Sequence, residues 1–237
     1  GKSSFINALL GQNDLVPVHS DVATSTIFKI HYGPEVKYTV YFEKASKREE
    51  KKLEIHPAQL AEYGTENGNP DNQKQVDFIR VESPAPLLRD GLILVDTPGV
   101  GGLFKKHREI TFRHAPNADA VFFVTDSEQS PIGADEVKFL KELRQITDLI
   151  TFVQTKSSKA DGEARQARMA NNLSILENEV GLSKKGLAYF IVDSNMKQEA
   201  DSSHDRDDLE DSGFLPLMAY LNNSLRKNQE MHVAQSA

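Results

Sequence analysis

Cysteine is absent from this 237-residue chain. That excludes disulfides, thiolate zinc centres and cysteine nucleophiles, and it suits a reducing compartment. Tryptophan is absent too, and aromatic residues make up 8% of the chain, which excludes little. Positive charge is in short supply: 28 Lys and Arg face 35 Asp and Glu, for a formal charge of −7. This argues against a nucleic-acid binder that works through a broad basic surface, so no nucleic-acid partner is expected. No apolar run approaches the ~20 residues of a membrane span, and no signal peptide is visible. The seven histidines offer no i, i+4 pair and no carboxylate at metal-ligand spacing. The acidic run from Asp201 to Asp211 lacks the turn glycine of a calcium loop and reads as a solvated lead-in to the last helix. The expectation is a single soluble, intracellular α/β domain spanning 1–237.

What the chain does contain begins at its first residues. Gly1-Lys2-Ser3-Ser4 reads as the second half of a phosphate-binding loop, G-x-x-x-x-G-K-[ST]. Such a loop needs a glycine where backbone nears phosphate, a lysine for the β and γ oxygens and a hydroxyl for Mg²⁺. It also needs a helix N-terminus whose free N–H groups favour an anion. Phe5, Ile6, Leu9 and Leu10 repeat at helical spacing, and Gly11 is a helix stop. On this reading the first strand and the start of the loop are missing and the chain is a fragment.

Strand signals follow at Ile27–Gly33 and Tyr38–Phe42, with Gly33-Pro34 as a turn signal between them. Lys44–Glu54 reads as a solvated hairpin or edge. Residues 64–75 contain no apolar side chain and are expected to be a mobile loop. Asp77–Val81 and Leu92–Val95 read as strands, the second ending at Asp96-Thr97-Pro98-Gly99. From there strands at Val121–Val124, Leu149–Val153 and Tyr189–Val192 alternate with helices at about Ala134–Ile146, Glu163–Val180 and Gly213–Arg226. Ser212 reads as the N-cap of the last one. The pattern predicts a mostly parallel sheet flanked by helices on both faces, with ligands at the carboxyl ends of the strands.

Several strand ends carry chemistry-bearing residues. Asp96 can hold a Mg²⁺ shell, and Gly99 lets a backbone N–H reach a γ-phosphate. Thr24 lies in a Ser/Thr-rich loop from which a threonine can close over Mg²⁺, with Thr26 as a neighbouring competitor. Thr155-Lys156-Ser157-Ser158 follows one apolar run and Asp193-Ser194-Asn195 another, where a purine would rest. The Lys156 stem can lie over the ring, and the Ser194-Asn195 backbone can meet the exocyclic oxygen.

Together these residues resemble the GTPase domain of the dynamin superfamily, and a bacterial dynamin-like protein most of all. Gly1–Gly11, Val16–Thr24, Ile30–Gly33, Asp96–Gly101, the stretch from Phe122 to Ser130 and Thr155-Lys156 carry the resemblance. So does the long span from Thr24 to Asp96, an extended insertion between the two switches. The resemblance implies a P-loop GTPase of dynamin type that uses GTP/GDP and Mg²⁺. In that reading Gly1, Lys2, Ser3 and Ser4 form the phosphate cradle, and Ser3, Thr24 and Asp96 form the metal set. Lys2, Thr24 and Gly99 are the catalytic group, while Thr155, Lys156, Ser158, Ser194 and Asn195 surround the base. The family also implies self-association through GTPase domains and a cytoplasmic protein peripheral at a membrane. Lipid contact would come from segments outside this chain, with residues 227–237 leading toward a helical region. The family pattern Thr-Lys-x-Asp is broken, because Ser158 stands in the aspartate's place. Losing that charge-assisted acceptor weakens guanine discrimination. Two alternatives are a nucleotide-gated assembly module with weak or no hydrolysis and relaxed base specificity, and a non-dynamin GTPase acting on ribosomes or RNA.

Overall fold

A computed structural model describes residues 1–18, 26–43, 51–98, 112, 115–128, 131–156 and 162–235. Thr24, Gly99 and Ser158 lie outside the described residues, as does the 44–50 part of the expected hairpin. The chain divides into two compact units. Lys2–Val121 and Gly133–Leu149 form one; Phe122–Ile132 and Ile150–Ala237, with Gly1, form the other.

The first unit opens with helix α1 (Lys2–Leu9), which buries Phe5, Ile6, Ala8 and Leu9. It ends at Gly11, whose φ of 61° is the left-handed conformation that glycine supplies without a Cβ clash. Behind it stands a five-stranded sheet of β1 (Ile27–Tyr32), β2 (Lys37–Phe42), β3 (Lys52–Ile55), β4 (Val76–Ser83) and β5 (Leu94–Asp96). The spatial order is β3-β2-β4-β1-β5. Alternation sends Phe28, Ile30, Tyr38, Val40, Ile79 and Val81 into the core. The α/β class agrees with the sequence, but this sheet is mixed rather than mostly parallel. Only β1 and β4 run parallel; the β1/β5, β2/β3 and β2/β4 pairs are antiparallel.

The reason is the length of the β1–β2 link. Residues 33–36 are too few for a parallel crossover, so β2 must return antiparallel to β1. The link passes over the end of β4, where the Gly33 N–H donates to Ser83 O at 3.1 Å. A Cβ at Gly33 would lie 2.7 Å from that of Glu82, so only glycine fits the crossing.

Residues 64–75 depart from the expectation of a mobile loop. They continue from a short helix α2 (Leu60–Gly64) into a turn closed by polar side chains. Thr65 Oγ1 donates to Ala61 O at 2.7 Å, and buried Asn69 accepts the Lys74 N–H at 2.9 Å. Asn72 Oδ1 receives the Asn69 amide and the Val76 N–H, both at 2.9 Å. Composition misses this because Thr and Asn side chains supply the bonds a hydrophobic anchor would otherwise replace. The first unit also includes α3 (Ala134–Leu143), started by a Gly133 N–H bond of 2.7 Å to Glu136 Oε2.

The second unit is built on the three-stranded sheet β6-β7-β8, with β6 at Val121–Asp126, β7 at Ile150–Thr155 and β8 at Tyr189–Ile191. Strands β7 and β8 are parallel, in register Gln154 to Ile191. Helix α4 (Gly162–Ile175) ends in a π-turn at Leu176–Val180, closed by Gly181 at φ 79°. Two helices then appear where the sequence reading had an acidic lead-in: α5 (Ser194–Ser203) and α6 (Arg206–Asp211). Each starts on an aspartate that accepts two backbone N–H bonds, Asp193 for α5 and Asp205 for α6. The last helix, α7 (Phe214–Gln235), runs past the expected end at Arg226. Ser212, expected as its N-cap, is the C-cap of α6 and stands two residues before this helix, with the Phe214 N–H 3.4 Å from its Oγ.

Candidate functional site

The phosphate-side residues meet where α1 begins beside the end of β5. Asp96 is the last residue of that strand and is only 2% exposed. Ser3 Oγ, in the first turn of α1, donates to Asp96 Oδ2 at 3.1 Å. Burial raises the Asp96 carboxyl above the ordinary carboxylate range, against the pull of Lys2 and the Ser3 hydrogen bond. Burial likewise lowers the Lys2 ammonium, with Asp96 opposing. Both groups are therefore held partly dehydrated, where a divalent cation and a polyphosphate would find strong electrostatic partners. The donor set fits Mg²⁺, since a carboxylate and a hydroxyl are hard oxygen donors; Ser3 and Asp96 would hold the ion, which would neutralise phosphate charge there. Among the described residues no group of three or more His, Cys, Asp or Glu is arranged to hold a metal ion. Gly1 is exposed and Ser4 half-buried at the same helix start.

Asn7 is a residue that sequence reasoning missed. It is fully buried on α1 and its amide grips Val16 at both ends, donating to Val16 O at 3.0 Å and accepting the Val16 N–H at 2.9 Å. Tyr38 Oη adds a 3.1 Å bond to Leu15 O. The side chain thus acts as a strand partner, fixing the chain just before 19–25, the stretch that holds Thr24. A polar residue on an otherwise apolar helix face was the available signal.

The base-side residues belong to the second unit. Thr155 ends β7, its hydroxyl donates to Thr125 O at 2.9 Å, and its carbonyl accepts the Ser127 N–H at 3.0 Å. Lys156 follows at φ 58°, an uncommon conformation for a residue with a side chain. Its ammonium lies 2.6 Å from Asp126 Oδ2 and 3.2 Å from Glu128 Oε2. The Asp126 bond raises its pKa, aided by Glu128 and opposed by partial burial. At the end of neighbouring β8, the Val192 N–H donates to Gln154 O at 2.8 Å, which sets Asp193-Ser194 beside Thr155-Lys156.

Asp193 Oδ1 takes the N–H groups of both Asn195 and Met196 at 3.0 Å, so the Asn195 amide is already committed. Ser194 is the first-turn residue whose N–H is left over, and its buried hydroxyl has no hydrogen-bond partner. Beneath this edge runs a buried polar chain. Tyr189 Oη donates to Gln154 Oε1 at 2.8 Å, Asn172 Nδ2 donates to Tyr189 Oη at 3.0 Å, and Gln154 Nε2 donates to Ser127 Oγ at 3.1 Å. It fixes the strand ends from below.

The sequence pattern of the dynamin family matches residues 1–157. The chain belongs to the dynamin family. Among relatives of this dynamin-family domain is a Caldicellulosiruptor sp. protein described as an uncharacterized protein in the xynA 3′ region. It is 35% identical over 213 residues, covering 90% of this chain and 50% of the relative. The Nostoc punctiforme bacterial dynamin-like protein is 31% identical over 161 residues, covering 64% of this chain and 22% of that protein. A solved structure of an oligomerised bacterial dynamin pair, tied to long-range sensing and tethering of membranes, superposes with a TM-score of 0.74. The two share 18% identity over 98% of this chain and 39% of the other. That likeness shows the fold alone: an α/β domain of the dynamin type. The chain spans half or less of the length of these relatives. Family membership removes the alternative of a non-dynamin GTPase. No helix among the described residues is long and apolar enough to cross a membrane.

Proposed function

We infer that this domain binds GTP with Mg²⁺ and hydrolyses the γ-phosphate, as part of a mechanoenzyme that self-associates through its GTPase domains and acts at a membrane. The observation that carries the reading is the Ser3–Asp96 pair at the start of α1, with Lys2 beside it. In it Gly1, Lys2, Ser3 and Ser4 cradle the phosphates, and Lys2 balances charge on the β and γ oxygens. Ser3, Asp96 and Thr24 hold Mg²⁺, which supplies charge neutralisation across the phosphates. Thr24 and Gly99 close over the γ-phosphate and the attacking water. Catalysis by positioning and electrostatics needs no covalent intermediate. Thr155, Lys156, Ser158, Ser194 and Asn195 line the base, with Asn195 acting through the α5 turn rather than by its own amide. The protein is read as cytoplasmic and peripheral at the membrane, with lipid contact outside this chain and no nucleic-acid partner.

Ser158 favours a second reading, a nucleotide-gated assembly module with slow or no hydrolysis and relaxed base choice. Turnover of GTP, ATP and XTP by the full-length protein, measured against its own concentration, separates the two. Turnover of GTP that climbs with concentration supports the first reading. Tight binding without turnover supports the second, and equal use of ATP defeats the guanine assignment.

A further inference from the structure

We propose that Asp126 is a positioning residue for nucleotide binding: its carboxylate fixes the Lys156 ammonium so that the lysine stem stands as a rigid platform for the purine. The inference rests on the base-side reading given above. Three observations on one strand edge carry it.

The carboxylate is itself immobilised. Asp126 Oδ1 accepts the Glu128 N–H at 2.9 Å while Oδ2 meets Lys156 Nζ at 2.6 Å, and the side chain is only 13% exposed. The lysine is fixed at its other end as well. Its backbone stands at φ 58° directly after Thr155, whose hydroxyl and carbonyl are tied to Thr125 and Ser127. Finally, Glu128 supplies a second carboxylate to the same ammonium at 3.2 Å, so the charge is spent on protein groups. Lys156 then contributes its four-carbon stem rather than its charge, an apolar rod suited to a ring face. An ordinary surface ion pair would join two mobile side chains and contribute almost nothing. Here both partners are pinned before the ligand arrives, and that preorganisation is what raises affinity.

Asparagine at position 126 isolates the effect. Its Oδ1 can still accept the Glu128 N–H, so the turn survives, while an amide NH₂ replaces the oxygen that holds Lys156. The test is equilibrium binding of GDP and of a slowly hydrolysed GTP analogue to the full-length protein, with Mg²⁺ present. Asp126→Asn is expected to weaken both nucleotides about fivefold and by the same factor, because the base is common to them. Asp126→Glu restores part of the loss, and in a Lys156→Ala background Asp126→Asn adds nothing further. The proposal is overturned if Lys156→Ala weakens binding but Asp126→Asn does not. It is also overturned if the Asp126→Asn loss persists undiminished without the lysine, since that marks a merely structural role. If Lys156→Ala itself leaves both affinities unchanged, the base-side reading falls and takes the proposal with it.

Discussion

Replacing Asn7 with alanine tests how α1 controls the chain that follows it. Asn7 and Val16 are both fully buried, and the two bonds between them, 3.0 and 2.9 Å long, satisfy both the N–H and the C=O of Val16. Alanine leaves one N–H and one C=O without partners in the interior. At roughly 1–3 kcal/mol per stranded group, the expected loss for the two is about 2–6 kcal/mol. Set against a typical total of ~5–15 kcal/mol, that is a large fraction. In urea, with a mid-range slope of about 2 kcal/mol/M, the midpoint should fall by roughly 1–3 M. Circular dichroism follows the transition, since the chain has no tryptophan. Exposed Asn67 provides the control, and Asn67→Ala should stay within about 0.5 kcal/mol. Because Val16 leads toward Thr24, Asn7→Ala should also lower kcat for GTP more than it weakens GDP. If its urea midpoint falls no further than that of Asn67→Ala, the clamp contributes nothing and the reasoning is wrong.

Three further outcomes are expected. Asp96 has a raised pKa, so the folded state holds its proton more tightly than the unfolded chain, and stability falls as pH rises from the ordinary carboxylate value of ~3.9 through the folded one. Nucleotide-free Asp96→Asn should lose this slope and gain stability relative to the parent as pH rises, while losing Mg²⁺-dependent GTP binding; a parallel pH profile in thermal unfolding would refute the assignment. Ser194→Ala removes a buried hydroxyl with no partner, so the free protein should keep or slightly raise its melting temperature while GDP binds about fivefold more weakly; a lower melting temperature with unchanged affinity would contradict this. Gly213 sits at φ 74° with a would-be Cβ only 2.1 Å from Ile191 O, so Gly213→Ala should cost about 2–3 kcal/mol or more in thermal unfolding, and a neutral result would mean the turn relaxes freely.

The sequence alone marked the residues proposed to carry the chemistry. Gly1-Lys2-Ser3-Ser4, Asp96 and Thr155-Lys156 are local motifs, legible because phosphate and base recognition need particular side chains at fixed offsets from strand ends. The strand runs of β6, β7 and β8 were legible too, as short continuous apolar runs. Tertiary structure decided the rest. The short 33–36 link already makes β2 run opposite to β1, but the insertion of β4 between them is a long-range pairing with no local trace. The order within 64–75 comes from buried Asn69 and Thr65, whose polarity reads as solvent exposure until their partners are known. Helices α5 and α6 hide in an acidic stretch because a capping aspartate and a solvated one are the same residue type. The grip of Asn7 on Val16, the pinning of Lys156 by Asp126 and the commitment of the Asn195 amide to Asp193 follow the same logic. Sequence supplies the groups, and only their packing sets which of them are already engaged and which remain for a ligand.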